Sequence, residues 1–204
     1  MATPRRNLIS VSNTPYYHCI SRCVRRAYLC GKDPLTGRSY EHRRDWVEKK
    51  LLQLGRIFCI DICAYAVMSN HTHLVLHIDI AKARRLNNKA ILIRWHKLFK
   101  STFLCQRFLN GELLTQTELA TVNTKVNLYR ERLSSISWFM RVLNEGIARK
   151  ANQEDGCKGR FWEGRFKSQA LLDEAALAAC LAYVDLNPVR AKAADLPEPV
   201  SYTH

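Results

Sequence analysis

Two pairs of residues in this 204-residue chain have types and spacings suited to chemistry. His71 and His73 stand in "VMSNHTHLVLHI" (67–78), a stretch that otherwise reads as a buried β-strand. Side chains alternate along a strand with period two, so the two imidazoles point to one face. They are either satisfied core histidines or half of a metal site awaiting a third ligand. Tyr183 and Asn187 lie four apart in "DEAALAACLAYVDLN" (173–187) and the following turn, stacked on one helix flank. That flank lies off the stripe of Leu177, Leu181 and Val184, which faces a core. A hydroxyl and an amide presented together can serve a shared site; the bland reading is a boundary tyrosine with a buried ring and a wet hydroxyl.

These pairs need elements to position them. "PYYHCISRCV" (15–24) is rich in β-formers and reads as a strand, and "GKDPLTGRSY" (31–40) is turn chemistry. "EHRRDWVEKKLLQLG" (41–55) has Val47, Leu51 and Leu54 at helical spacing, with Gly55 as its C-cap. "FCIDICAYAVM" (58–68) and "HTHLVLHI" (71–78) form a hairpin about Ser69-Asn70, with the histidines at its mouth. A helical region follows at about 81–106, then a polar segment at about 107–133 that reads as a loosely assigned insertion. "SSISWFMRVLNEGIARKAN" (134–152) is an amphipathic helix, and "GRFWEGRFKSQAL" (159–171) reads as a basic, aromatic fourth strand. The last helix, 173–187, opens on Asp173 as N-cap and stops at Pro188. The order β-α-β-β-α-β-α predicts a single α+β domain over 1–204: a ferredoxin-like four-stranded antiparallel sheet with helices packed on it.

Charge narrows the partners. Lys and Arg number 32 against 18 Asp and Glu, a formal net charge of +14. The excess is spread as doublets (Arg5-Arg6, Arg25-Arg26, Arg43-Arg44, Arg84-Arg85, Arg149-Lys150), which suits a polyanion such as nucleic acid. No apolar run is long enough for a transmembrane helix, and "MATPRRNLIS" lacks the apolar core of a signal peptide. A cytosolic chain would keep its eight cysteines reduced, and none form a CxxC pair. The final "PEPVSYTH" carries no structural stop, as in a truncated chain.

The same residues carry a resemblance. "YAVMSNHTHLVL" (65–76) resembles the histidine–hydrophobic–histidine (HUH) motif of single-tyrosine transposases. "GRFWEGRFKS" (159–168) and "AYVDLNPVRA" (182–191) resemble two later signatures of the REP-associated tyrosine transposases in that group. The three motifs, in this order, span nearly the whole chain. The resemblance implies that Tyr183 is the nucleophile, and that His71, His73 and Asn187 hold Mg²⁺ or Mn²⁺; by ligand chemistry alone, two imidazoles suit zinc or manganese better than magnesium. It implies cleavage and rejoining of single-stranded, hairpin-containing DNA through a covalent 5′-phosphotyrosine, by a monomer or homodimer that is cytoplasmic and nucleoid-associated. Arg160, Arg165, Lys167 and Arg190 are then phosphate contacts, and Trp162 a base-stacking platform, with Phe161 and Phe166 equally suited to the core. His18 and His77 are possible neighbours of the site, each with a structural reading beside it. Two residues depart from the family pattern. Ser69 replaces a proline, which should loosen the hairpin turn, and Thr72 between the histidines needs a partner if buried. A catalytically silent relative that only binds repetitive hairpin DNA, and a hydrolase that uses water, are the alternatives.

Overall fold

The computed structural model describes residues 14–24 and 27–190, with backbone alone at 188–190. The doublets Arg5-Arg6 and Arg25-Arg26, and the tail "PEPVSYTH", lie outside the described residues. Four strands, β1 (Tyr16–Arg22), β2 (Ile60–Val67), β3 (His71–Ile78) and β4 (Lys167–Ala170), make one antiparallel sheet in the order β2-β3-β1-β4. That is the ferredoxin-like order expected from the sequence. Between β1 and β2 runs α1 (His42–Ile57). Between β3 and β4 run α2 (Ile80–Arg85), α3 (Asn88–His96), α4 (Phe103–Leu109), α5 (Gln116–Leu133) and α6 (Ile136–Glu154), and α7 (Glu174–Arg190) follows β4.

Alternation divides the sheet into two unlike faces. Tyr17, Cys19, Leu74, Leu76 and Ile78 point to one side, where Val47, Leu51 and Leu54 of α1 and Phe139, Met140 and Leu143 of α6 complete the main core. The other side carries Ala64, Ala66, Met68 and Val75 under Leu177, Leu181 and Val184 of α7. The stripe read from the sequence is therefore the one α7 buries. Small side chains on β2 let this alanine-rich helix come close to the sheet, and its contacts are with β2 and β3. Asp173 caps it as expected, its Oδ1 accepting from Ala176 N at 2.7 Å.

Several elements differ from expectation, each for a local reason. Region 81–106 is three short helices, because Asp79, Asn87 and Thr102 each cap a new start by accepting a backbone N–H. Much of the 107–133 segment is a long helix, α5, opened by a capping box between Thr115 and Glu118. Its Val122, Val126, Tyr129 and Leu133 join the main core. Gly55 does not cap α1; the helix runs to Ile57, and a Cβ on Gly55 would lie 3.3 Å from Ile62 Cδ1, so glycine permits a close helix–sheet approach. The fourth strand shrinks to Lys167–Ala170, and 159–166 is a loop touching the sheet by one Cys23–Trp162 bridge. Pro188 does not end α7. Its ring holds φ near −65°, which is helical, so the last turn continues to Arg190 with one N–H fewer.

An ion cluster built on the buried guanidinium of Arg43 clasps α1 to α6. Arg43 is fully buried; its Nε donates to Glu154 Oε2 at 2.8 Å, its Nη2 to Asp155 Oδ1 at 2.5 Å and its Nη1 to Tyr28 O at 2.7 Å. Removing one partner of such a cluster strands the others. Arg43→Ala is expected to lower unfolding free energy by about 3 kcal/mol, read from urea denaturation at pH 7.

Candidate active site

The register of β1 on β3 brings histidines from both strands to the α7 face. Opposite pairs include His18↔Val75, Ile20↔His73 and Arg22↔His71, so His18, Arg22, His71 and His73 share that face. His18 Nε2 lies 2.9 Å from His73 Nδ1. The His71 and His73 rings meet at right angles with centroids 4.8 Å apart. Across β1, Lys167 opposite Ile20 and Gln169 opposite His18 belong to the same face.

Helix α7 lays Tyr183 over this group. Its ring stands edge-on to His73 at 5.6 Å and to His18 at 6.3 Å between centroids, while 42% of the residue stays open to solvent. Asn187, one turn on, has a half-buried side chain whose buried Nδ2 finds no partner among the described residues. A carboxamide can turn either oxygen or nitrogen inward, so this group is free to take either role toward a ligand.

Two hydrogen bonds bear on what the imidazoles can offer. His71 Nδ1 lies 2.7 Å from Asn70 Oδ1. A carboxamide oxygen only accepts, so Nδ1 carries the proton and Nε2 keeps a lone pair. His73 uses Nδ1 toward His18, and its buried Nε2 has no partner. Burial holds His73 down at about 4, with His71 and His18 beside it adding to the shift. Burial also lowers His18, and burial then Arg22 lowers His71. All three are neutral at pH 7, the form in which imidazole ligates a cation. Among the described residues no group of three or more His, Cys, Asp or Glu side chains forms a metal cluster. A cation here would rest on two imidazoles, with Asn187 or substrate oxygens for the rest. The orphaned Nε2 of His73 fits that need.

The hairpin turn is tied down without proline. Ser69 O accepts from Leu29 N at 2.7 Å, and Asn70 O from Cys23 N at 2.8 Å. Thr72 faces the main core, where its buried Oγ1 is unpartnered, as is Oδ1 of Asn144, which donates through Nδ2 to Ser21 opposite.

Other expected residues fall into two groups. The 159–166 loop runs along the His71 end of β1, with Val24 N donating to Phe161 O at 2.9 Å and Glu163 N to Arg22 O at 2.8 Å. Arg160 and Arg165 are exposed on it, while Phe161 and Phe166 are buried. Trp162 is not a free stacking platform. It is half-buried, its Nε1 donates to Asn144 O at 2.8 Å, and its ring packs on Phe161. The Arg190 side chain lies outside the described residues. His77 is taken by Asp61, at 3.0 Å, and by the Tyr16 ring. Sequence reasoning passed over Arg22 and Asn70, and left His18 undecided between neighbour and core. Only strand register reveals them.

No family model matches this chain, and no curated protein matches it. Among solved structures it is similar to a REP-associated tyrosine transposase bound to a REP hairpin, with 13% identity and a TM-score of 0.49, covering 96% of this chain and 77% of that one. It is also similar to a protein of Deinococcus radiodurans R1 provisionally named a transposase, with 12% identity and a TM-score of 0.33, covering 83% of this chain and 87% of that one.

The depressed His73 has a measurable consequence. The unfolded chain takes up the proton below about 6.5, whereas the folded His73 does so only near 4. Stability from this group is therefore complete above pH 6.5 and is lost as pH falls toward 4. Between pH 7 and 4.5 the native chain should lose on the order of 2 kcal/mol more than His73→Leu, by urea titration at each pH.

Proposed function

We propose that the chain is a metal-dependent single-tyrosine transposase or nickase that cuts and rejoins single-stranded, hairpin-containing DNA. One observation carries the reading: His73, whose buried Nε2 is unpartnered among the described residues, sits beside His71 with its ring edge-on to the half-open Tyr183. The ordered motifs around His71, Trp162 and Tyr183 support it. No helix among the described residues is long and apolar enough to cross a membrane.

His71 and His73 would hold Mg²⁺ or Mn²⁺ through Nε2, with Asn187 as the third protein contact. The cation would supply Lewis-acid polarisation of the scissile phosphate. A free tyrosine has a pKa of about 10, so Tyr183 needs a polarised and well-placed phosphorus to react at neutral pH. Tyr183 Oη bonds to phosphorus as its proton passes to solvent, and the P–O3′ bond breaks, the departing 3′ oxygen taking a proton from solvent; this leaves a 5′-phosphotyrosine and a free 3′-OH. A second 3′-OH then attacks the phosphotyrosine, its proton leaves, and Tyr183 is restored. The phosphodiester bond energy is conserved in the intermediate, so no nucleotide cofactor is required.

Arg160, Arg165 and Lys167, exposed at the His71 end and along the shared face, would track the DNA backbone, with Arg22 beside them. Arg22 faces Glu163 at 4.0 Å, but both side chains are largely exposed, so this pair competes weakly with phosphate.

Two measurements test this. End-labelled hairpin DNA, incubated with the protein and Mn²⁺ and run on a denaturing gel, should give a covalent adduct that Tyr183→Phe abolishes and His73→Ala reduces at least a hundredfold. Cleavage that survives Tyr183→Phe would transfer the reaction to a water nucleophile, and binding without cleavage would indicate a silent relative. In parallel, Arg165→Ala or Lys167→Ala should weaken single-strand binding and flatten the plot of log affinity against log salt by about 0.7 per lost phosphate contact.

A further inference from the structure

The contact between His18 and His73 has more geometry than its length alone. Its nitrogens are 2.9 Å apart, the ring centroids 5.1 Å apart, and the ring planes 17° from parallel. The difference between the two distances is what the two ring radii together span. The rings therefore lie edge to edge, with the hydrogen bond running along the in-plane lone-pair direction of each. Such a bond holds one proton, on either His73 Nδ1 or His18 Nε2.

The two assignments are not equivalent. With the proton on His18 Nε2, His73 must carry its own proton on Nε2, which is buried and has no acceptor among the described residues. An orphaned buried donor or acceptor costs about 1–3 kcal/mol, but of the two states of Nε2 only the lone pair can be satisfied by a cation entering the site. With the proton on His73 Nδ1, His18 accepts through Nε2 and carries its hydrogen on Nδ1, which is not among the orphaned buried nitrogens. His73 Nε2 then presents a bare lone pair, with the Tyr183 ring 5.6 Å from the His73 ring between centroids. His71 is set the same way by Asn70 Oδ1. Each imidazole of the pair thus has its own acceptor behind it, one from the turn and one from a different strand.

We infer that His18 is a positioning residue: it accepts the Nδ1 proton of His73, fixes that ring's tautomer and plane, and so aims the Nε2 lone pair at a cation that enters the site. The inference deepens the nicking reading and rests on it for the identity of the occupant, though not for the tautomer. Partners behind a ligating histidine typically set metal affinity by 10- to 100-fold.

The test begins on the unaltered chain, without metal or DNA. Long-range proton–nitrogen correlation spectra of histidine-labelled protein at pH 7.5, with His73 assigned by His73→Gln, should show His73 protonated on Nδ1 alone. Protonation of His73 on Nε2 would overturn the inference. Two variants follow. His18→Leu removes the acceptor; His18→Gln keeps an oxygen near the position of the lost nitrogen. His18→Leu should give a mixed His73 tautomer and weaken Mn²⁺ binding, measured by calorimetry, by 10- to 100-fold. His18→Gln should restore the Nδ1–H form and most of the affinity. Equal losses in both variants, with thermal unfolding still cooperative, would reduce His18 to packing and overturn the inference. Native protein that shows the Nδ1–H tautomer yet binds no Mn²⁺ would refute the metal-dependent reading while supporting the role of His18.

Discussion

A slip of one residue between β1 and β3 would send His18 into the helical core and leave His73 facing an isoleucine's neighbour instead of a ring. Side chains alternate with period two, so register decides the whole face at once. The observed pairing is pinned from the other side of the sheet, where Tyr17, Cys19, Leu74 and Leu76 are fully buried in the main core. A slip of β1 would turn Tyr17 and Cys19 out of that core and bury Arg22. The hydrophobic side of the sheet thus holds the polar side in place, and the imidazole cluster persists because the core beneath it has no alternative arrangement.

On that fixed face, α7 decides what the cluster can do. Its small-residue contact with β2 lets Val184 seat fully, which turns Tyr183 over His73 while keeping part of the ring in solvent. The arrangement is dry below and open above. Dryness keeps His18, His71 and His73 neutral, and neutral imidazoles retain the lone pairs that a cation needs. Openness leaves the Tyr183 side chain accessible from solvent. The basic loop 159–166 borders the same end of β1, and its aromatic residues serve the fold: Phe161 and Phe166 are core, and Trp162 is bonded to α6.

Much of this was legible in the sequence where periodicity is strong. The stripe Ile136, Phe139, Met140, Leu143 and Ile147 marks α6, the alternation around His71 marks β3, and Leu177, Leu181 and Val184 mark the buried side of α7. Helix α5 was not read, because threonines and asparagines dilute its stripe of Val122, Val126, Tyr129 and Leu133, although Thr115 and Glu118 spelled out its capping box. The fourth strand was read too long, since alternating aromatics mimic a strand even when Phe161 is buried from a loop. His71, His73, Tyr183 and Asn187 stand out as candidates through residue type and motif order. The bond from His18 to His73 was not legible, because the two residues are 55 positions apart and only the register joins them.

In the proposed reading, the Nε2 atoms of His71 and His73 converge on a divalent cation beside Tyr183. Crystals of the protein soaked in Mn²⁺, with anomalous diffraction recorded on both sides of the manganese absorption edge, test it directly. The expected result is a single strong manganese peak within coordination distance of both Nε2 atoms, on the side facing Tyr183. A peak elsewhere, or water alone between the two imidazoles at saturating Mn²⁺, would contradict it.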